Sequence, residues 1–476
     1  MKRVIMSINA NPPSSSNPSP GHSANATSAS PSLWRARSYR LWFAADTTDV
    51  LAVSLRAFVI PLLALQLSGS EFIAGIIVAL ESAIGLLLLP FGGTLADRHD
   101  RGRMMILLGV IGTGLSAIAM ALLASRVMNT PMFALCIALF AIMNGLLGPS
   151  NDAMLKSIVP MDRFAKAQAI RETRESCVEL SSGIIGGFLY TVSAWCPFLV
   201  STILYGIAGV TAGQLSLGHA ANEAAKTDSP ADAESSASDA SVMSEAPIAN
   251  ETIMTSNQHA ATHSPNVSFL THLVEGWRWA LTKRVFLSAI MLGAMVNIAC
   301  VASITGAQIM LAARGTSAVM IGLLGTAMGV STLVGSLLAN KLVDMVPTGK
   351  LIAGALALFV VSQVPLLFVQ SYAAILICQI LAGLPFPALN AGLLGFLYGK
   401  TPDNMQGRAS AVFETTVGIL GAACPAMVGW LLQQPYLGFT AVMAVAVACA
   451  VTGLVVSLAG PLRSIPTPER WSEVSL

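Results

Sequence analysis

The chain has 476 residues, 54% of them hydrophobic and only 11% charged, with a formal net charge of +2 and a mean hydropathy of +0.70. A chain of this composition cannot bury its apolar surface inside an ordinary water-soluble globule, so its solvent is lipid. The near-neutral balance says nothing about nucleic acid, and with no basic run interleaved with aromatics no nucleic-acid partner is expected.

Residues 1 to 32 are rich in Ser, Pro and Asn and hold no long apolar core. The segment 1–38 therefore reads as a disordered cytoplasmic tail, neither a secretory signal nor a span. Apolar runs of bilayer-spanning length follow near 41–67, 71–93, 104–125, 131–158, 166–191 and 196–218, which defines an N-terminal six-helix bundle over 39–218. From 219 to 267 the composition turns to Ala, Ser, Asn and acids, including Glu223, Asp228, Asp232, Glu234, Asp239, Glu245 and Glu251 against Lys226. That is the signature of a disordered cytoplasmic linker. The stretch 268–284 mixes Trp277 and Trp279 with Arg278, Lys283 and Arg284, a pattern suited to an interfacial amphipathic helix. Six further spans near 285–312, 317–340, 350–370, 373–399, 408–432 and 437–460 make a C-terminal bundle over 285–462, with a cytoplasmic tail at 463–476. The predicted fold class is an all-α membrane protein, twelve transmembrane helices in two pseudo-symmetric six-helix bundles.

The basic residues set the orientation. With both termini cytoplasmic, the external loops hold only Arg126 and Arg314, and Arg56, Lys156, Arg171 and Arg174 lie inside spans. The remaining 20 of the 26 Lys and Arg then fall on the inner side. The halves also repeat each other. A shift of 243 residues lays Gly92-Gly93-Thr94-Leu95-Ala96-Asp97-Arg98 over Gly335-Ser336-Leu337-Leu338-Ala339-Asn340-Lys341, and a shift of 242 lays Glu172 over Glu414 and Gly187 over Gly429. Two separate segments at nearly one offset argue for duplication of a six-span unit, as in many secondary carriers.

The loop between the second and third spans packs five charges into Asp97-Arg98-His99-Asp100-Arg101-Gly102-Arg103. The run Gly93-x-Leu95-x-Asp97-Arg98-x-x-Arg101 resembles the loop signature of the major facilitator superfamily of secondary transporters. It departs where the family has a basic residue directly after the last arginine and this chain has Gly102. The resemblance implies a latch between the halves built on Gly93, Asp97, Arg98 and Arg101. Asp97 would accept bonds from helix N-terminal amides or pair with an arginine such as Arg408. The competing reading is a topology anchor, charges that keep the loop in the cytoplasm.

Charges inside spans are costly unless paired or facing water. Asp46, Asp49 and Arg56 share one helical face of the first span, and Glu81 lies in the second. At 1.5 Å per residue, Asp49 is about 14 Å in from Arg40 and Glu81 about 15 Å in from the outer end of its span, near the middle of a core about 30 Å thick. A carboxyl group removed from water favours its neutral form, the property a proton carrier uses. Glu81, with Asp49 second, is the candidate for a coupling proton, and Asp46 and Arg56 for shaping the cavity's field. The alternative is a structural Asp49–Arg56 pair with Glu81 a spectator. In the fifth span Glu172, Glu175 and Glu179 share a face and Arg171 is placed to pair with Glu175; Glu172 with its repeat mate Glu414 forms a candidate pair of inner-gate acids, against the reading that these acids make interhelical salt bridges with no direct role in substrate binding. Asp152 and Lys156, four residues apart, read as a structural pair.

Other segments are similar to the branch of the superfamily that contains enterobactin exporters and macrolide efflux proteins. They are Arg40-Leu41-Trp42, Pro61 to Ser70, Glu275-Gly276-x-Arg278 and Gln406-Gly407-Arg408. The fifth-span run Ser182-Gly183-Ile184-Ile185-Gly186-Gly187 keeps the end glycines of the superfamily's antiporter motif and lacks its proline. The resemblance implies proton-coupled efflux of a hydrophobic or amphipathic small molecule such as a drug, macrolide or siderophore, by a monomer in the plasma membrane. An importer of a small metabolite, or a transport-inactive sensor on the same fold, stays open. No cofactor or metal is expected: the seven cysteines are scattered without a CxxC pair, and the six histidines lie in tails, loops or the linker. Gly399-Lys400-Thr401 lacks the upstream glycine of a phosphate loop, and no HExxH or GxSxG occurs, so neither a pump ATPase nor a hydrolase is indicated.

Overall fold

Apolar runs separated by short polar loops become helices whose ends are fixed by those loops. In the computed structural model, which describes residues 33–227, 277–402, 405–435 and 438–473, α1 (Arg37–Ser68) stops at Gly69, where φ is +65°. A side chain is disfavoured there, and glycine is the residue that ends a helix in this way. Ser70 then caps α2 (Glu71–Arg98) by accepting from the Ile73 amide. Asp100 caps α3 (Arg101–Ala124) and Asn129 caps α4 (Thr130–Leu147) in the same manner. The fourth span breaks at Gly148 and Pro149, whose ring nitrogen has no proton for the helix ladder, and resumes as α5 (Pro149–Ile158). α6 (Met161–Val192) and α7 (Cys196–Thr227) complete the N-terminal half.

The C-terminal half repeats this plan with α8 (Arg284–Ala313), α9 (Ala318–Met345), α10 (Thr348–Gln363), α11 (Tyr372–Gly383), α12 (Phe386–Lys400), α13 (Gln406–Leu432) and α14 (Gly438–Ala459). Its tenth span, α11 with α12, is likewise interrupted at a proline, Pro385. Among the described residues eleven helices are long and apolar enough to cross a membrane, counting α4 with α5 and α11 with α12 as one each. The twelfth, α6, is as long as α1 and misses because Arg171, Glu172, Arg174, Glu175 and Glu179 crowd its middle. The fold is all-α, twelve membrane helices in two bundles.

The two bundles are related by exchange of α1 to α7 with α8 to α14. Within the halves, α3 packs on α7 as α10 packs on α14, and α2 on α4 as α9 on α11. Between the halves, α2 packs on α13 as α9 packs on α6. Where the halves meet, small residues let backbones touch. A methyl group added at Gly75 would overlap the Pro425 carbonyl, and one at Gly322 the Gly183 carbonyl. These contacts lie at the ends of the helices remote from the chain termini. There the apolar core is shared, running from Phe58, Ile60 and Ile77 to Ile309, Ile321, Val428 and Phe439. On the terminus side each half keeps its own core: Tyr39, Trp42, Met154 and Leu215 in one, Phe286, Leu393, Phe396 and Val412 in the other. The bundles are thus sealed together on the far side and separate on the terminus side.

Three segments differ from the reading of the sequence. α7 runs past residue 218 to Thr227, because Ala220, Ala221, Ala224 and Ala225 extend a helix at little cost; residues 228–267 of the expected linker lie outside the described residues. Of the expected interfacial helix, the described residues 277–282 are helical and dock on the C-terminal half, with Ala280 fully buried and Trp279 edge-on to Phe286 at 5.1 Å. Residues 268–276, like 1–32 of the expected tail, lie outside the described residues. Residues 463–473 form a packed strap. The Thr348 and Gly349 amides donate to the Pro466 and Ile465 carbonyls, and Trp471 donates to Thr348 Oγ1 at 3.0 Å. The strap supplies the acceptors that the first turn of α10 lacks.

Candidate functional site

The first span presents two neighbouring faces, and they do different work. One carries Asp46, Asp49 and Arg56, all buried, into the interior of the N-terminal bundle. Asp46 meets Arg174 of α6, whose Nη1 lies 2.8 Å from Oδ2, a charge pair at contact distance whose N–H is not aimed along the oxygen lone pair. Arg171 Nε is 3.9 Å from the same oxygen, and Arg171 also pairs with Asp152 of α5 and, at 2.8 Å, with Glu175. Glu175 takes a second bond from Arg174 at 3.0 Å. Two arginines and three acids therefore fasten α1, α5 and α6 together on the terminus side. Asp152 belongs to this network and not to the expected pair with Lys156, which points outward, because α6 brings Arg171 to it across the bundle.

About one turn further on, Asp49 accepts from Asn151 Nδ2 at 2.9 Å, while Trp42 Nε1 donates to the Asn151 carbonyl at 3.0 Å. The restart of the chain at Pro149 is what swings Asn151 into this position. Arg56 is fully buried. It donates to Tyr205 Oη at 2.9 Å and lies 4.2 Å over the ring of Phe140, a cation–π contact in a dry setting. Asp49 Oδ1 and Arg56 Nε and Nη2 find no hydrogen-bond partner among the described residues, so the cluster keeps open hydrogen-bonding capacity inside the bundle. No Asp49–Arg56 salt bridge forms; Arg56 sits within electrostatic reach of Asp49 and of the half-buried Glu81 on α2.

The other face of α1, with Ser54 and Phe58, lines a cavity of about 630 Å³ between the halves. Across it stand Gln308 of α8 and Met328 and Thr332 of α9, and α6 contributes Glu175 and Glu179. Asp46, Asp49, Arg56 and Glu81 are not among its lining residues. The expected cavity charges are placed behind the wall, and the acids in the wall come from α6. Glu179, which helical spacing puts on one face with Glu172 and Glu175, was not among the residues assigned to the cavity. The available signal was the absence of a basic residue at three or four positions on either side of it, whereas Glu175 has Arg171.

The loop signature is brought together only in part. Asp100, not Asp97, caps the following helix. Asp97 is exposed and forms no hydrogen bond or ion pair with a described residue, so no Asp97–Arg408 contact exists in this arrangement. Arg98 is exposed, and Arg101 donates to the Ala153 carbonyl at 3.1 Å, tying α3 to α5. The close approach of α2 to α4 falls on Gly92, against the Gly145 carbonyl, while a side chain at Gly93 would meet nothing. Glu172 and Glu414 are exposed on separate halves.

Two bundles sealed at one end around a membrane-depth cavity define a carrier of small molecules. The chain belongs to the Major Facilitator Superfamily, whose family model matches residues 47–311 and 285–475. No curated protein sequence matches significantly. Solved structures with the same fold include a bacterial homologue of the iron transporter ferroportin in an inward-facing state. It has 14% identity and a TM-score of 0.62, and the match covers 90% of this chain and 99% of that one. Another is a bacterial homologue of the human lysosomal transporter Spinster, inward-facing and unoccupied, with 13% identity, a TM-score of 0.59 and coverage of 91% and 99%. The nucleoside transporter NupG aligns with 12% identity, a TM-score of 0.59 and coverage of 89% and 98%. The chain is thus a multi-pass membrane transporter of this superfamily.

Proposed function

We propose that this transporter exports a hydrophobic or amphipathic small molecule across the plasma membrane in exchange for protons, as a monomer, alternating access between the two sides. With both termini cytoplasmic, the arrangement described above is the state open to the cytoplasm. The observation that carries the reading is the cavity of about 630 Å³ between halves that share a core only on the far side. Its size is in the range of drug-sized sites. The outward direction rests on the sequence likeness to siderophore and macrolide exporters.

For the proton, Glu81 and Asp49 flank Arg56 on neighbouring helices, and protonation of either changes the charge balance around a buried guanidinium. The test is counterflow and pH-gradient-driven transport in proteoliposomes. Glu81→Gln is expected to abolish the response to a pH gradient while exchange down a substrate gradient continues, and Asp49→Asn to weaken it. Unchanged pH dependence in both variants would remove these two acids from coupling. The loop gives a separate expectation. Since Asp97 is unpaired here, Asp97→Asn should leave the thermal stability of the purified protein unaltered and slow transport several-fold by weakening the opposite state. Normal transport at normal abundance would reduce the loop to a topology anchor.

A further inference from the structure

The lining of the cavity between the halves is electrostatically one-sided. Among its described residues there is no Lys, Arg or His, and two are acids. Glu175 is spoken for by Arg171 and Arg174, at 2.8 and 3.0 Å. Glu179, one turn further along α6, is exposed to the cavity, and its carboxylate has no hydrogen bond or ion pair with a described residue. An uncompensated carboxylate deep in a membrane protein is expensive and is retained where something pairs with it. Its position is specific. Leu180, the next residue, packs under Gly329 and accepts from Thr326 Oγ1 at 2.6 Å, and Gly183 touches Gly322 one turn on. Glu179 therefore stands at the floor of the cavity, immediately below the seam that must open for release on the far side.

We infer that the transported molecule is a monovalent organic cation with an apolar body, whose charge pairs with Glu179 while its body packs against Phe58, Met328 and Leu333. This rests on the cavity being the substrate site of the transporter proposed above. The apolar walls supply surface for the body, and the Phe58 ring face favours cations. A divalent metal ion is a poor fit, because such ions take several oxygen or nitrogen ligands and no group of three or more Asp, Glu, His or Cys occurs among the described residues. An anion would meet an unscreened carboxylate and no base.

Two probes of one shape and opposite charge isolate the claim: tetraphenylphosphonium and tetraphenylborate, added to the purified full-length protein and followed by equilibrium binding. Saturable binding of the phosphonium is expected, with binding of the borate at least tenfold weaker; Glu179→Gln should weaken the phosphonium by about tenfold and Glu179→Asp by less. The wild-type comparison needs no variant to fold. Binding of the borate as tight as the phosphonium, no saturable phosphonium binding, or full phosphonium affinity in a folded Glu179→Gln protein overturns the inference. Gradient-driven movement of neutral or anionic solutes with Glu179→Gln fully active would overturn it while sparing the transporter reading. Charge-selective binding without movement of any probe across proteoliposomes would leave Glu179 a cation-binding group and overturn both the exporter reading and the claim that its cation is the cargo.

Discussion

Arg174→Met is expected to cost about 3–5 kcal/mol of stability, the largest single effect among the charged positions. The reason is burial on both sides of the pair: Asp46 is 1% exposed and Arg174 8%. Removing the guanidinium leaves a carboxylate that water cannot reach, with Arg171 at 3.9 Å as its remaining cation and that residue already engaged by Asp152 and Glu175. The double variant Asp46→Asn with Arg174→Met removes both charges and should recover all but about 1 kcal/mol, since neutral groups of similar volume bear burial far better than one unpaired ion. Thermal unfolding of the four proteins in one detergent measures the cycle. Additive losses would show that Asp46 is satisfied by other groups. The pair has a second consequence. Because it fastens α1 to α6 inside one half, the alternating-access reading proposed above predicts that this half moves as a body and that the seams α2–α13 and α6–α9 take up the motion.

Much of the architecture was legible because lipid imposes one rule, that backbone groups be satisfied within helices, so apolar runs and their polar interruptions mark the spans directly. The repeat offsets located the symmetry for the same reason: Gly187 and Gly429 fall at equivalent seams, where one meets Ala318 and the other Glu71. What could not be read was rotation. Asp46, Asp49 and Arg56 share a face, but whether that face turns to the inter-bundle cavity or into its own bundle depends on which neighbours α1 packs against. In the structure α6 and α7 take that face. Likewise the spacing of Asp152 and Lys156 gave a local pair, and Arg171 took Asp152 instead because the packing of the bundle brings the α6 guanidinium onto that carboxylate, a contact that helix spacing cannot show. The Asp97 loop illustrates a third limit: the order of charges does not say which acid the fold engages, and it is Asp100 that caps the following helix while Asp97 stays exposed.

The far-side seal gives the other large effect. Gly322→Leu places a branched side chain where even a methyl group would run into the Gly183 backbone, and neither backbone is a flexible chain end that can swing aside. Overpacking of this kind costs about 1–3 kcal/mol, here charged only to the state in which α6 and α9 touch at this end. A bias of that size shifts the ratio of the two access states by about 5- to 150-fold. In a background with the seven native cysteines replaced by alanine, a cysteine at Ile304 in the cavity wall should become labelled faster by an impermeant maleimide from the far side, and slower from the terminus side. Transport should fall by tenfold or more, because a carrier that cannot close one end cannot complete its cycle. Gly354→Leu on α10, where an added side chain meets nothing, is the matched control and should change neither labelling nor transport. Equal labelling in the Gly322 variant and the parent would mean that the seam yields without moving the halves, and that access is controlled elsewhere than at these touching backbones.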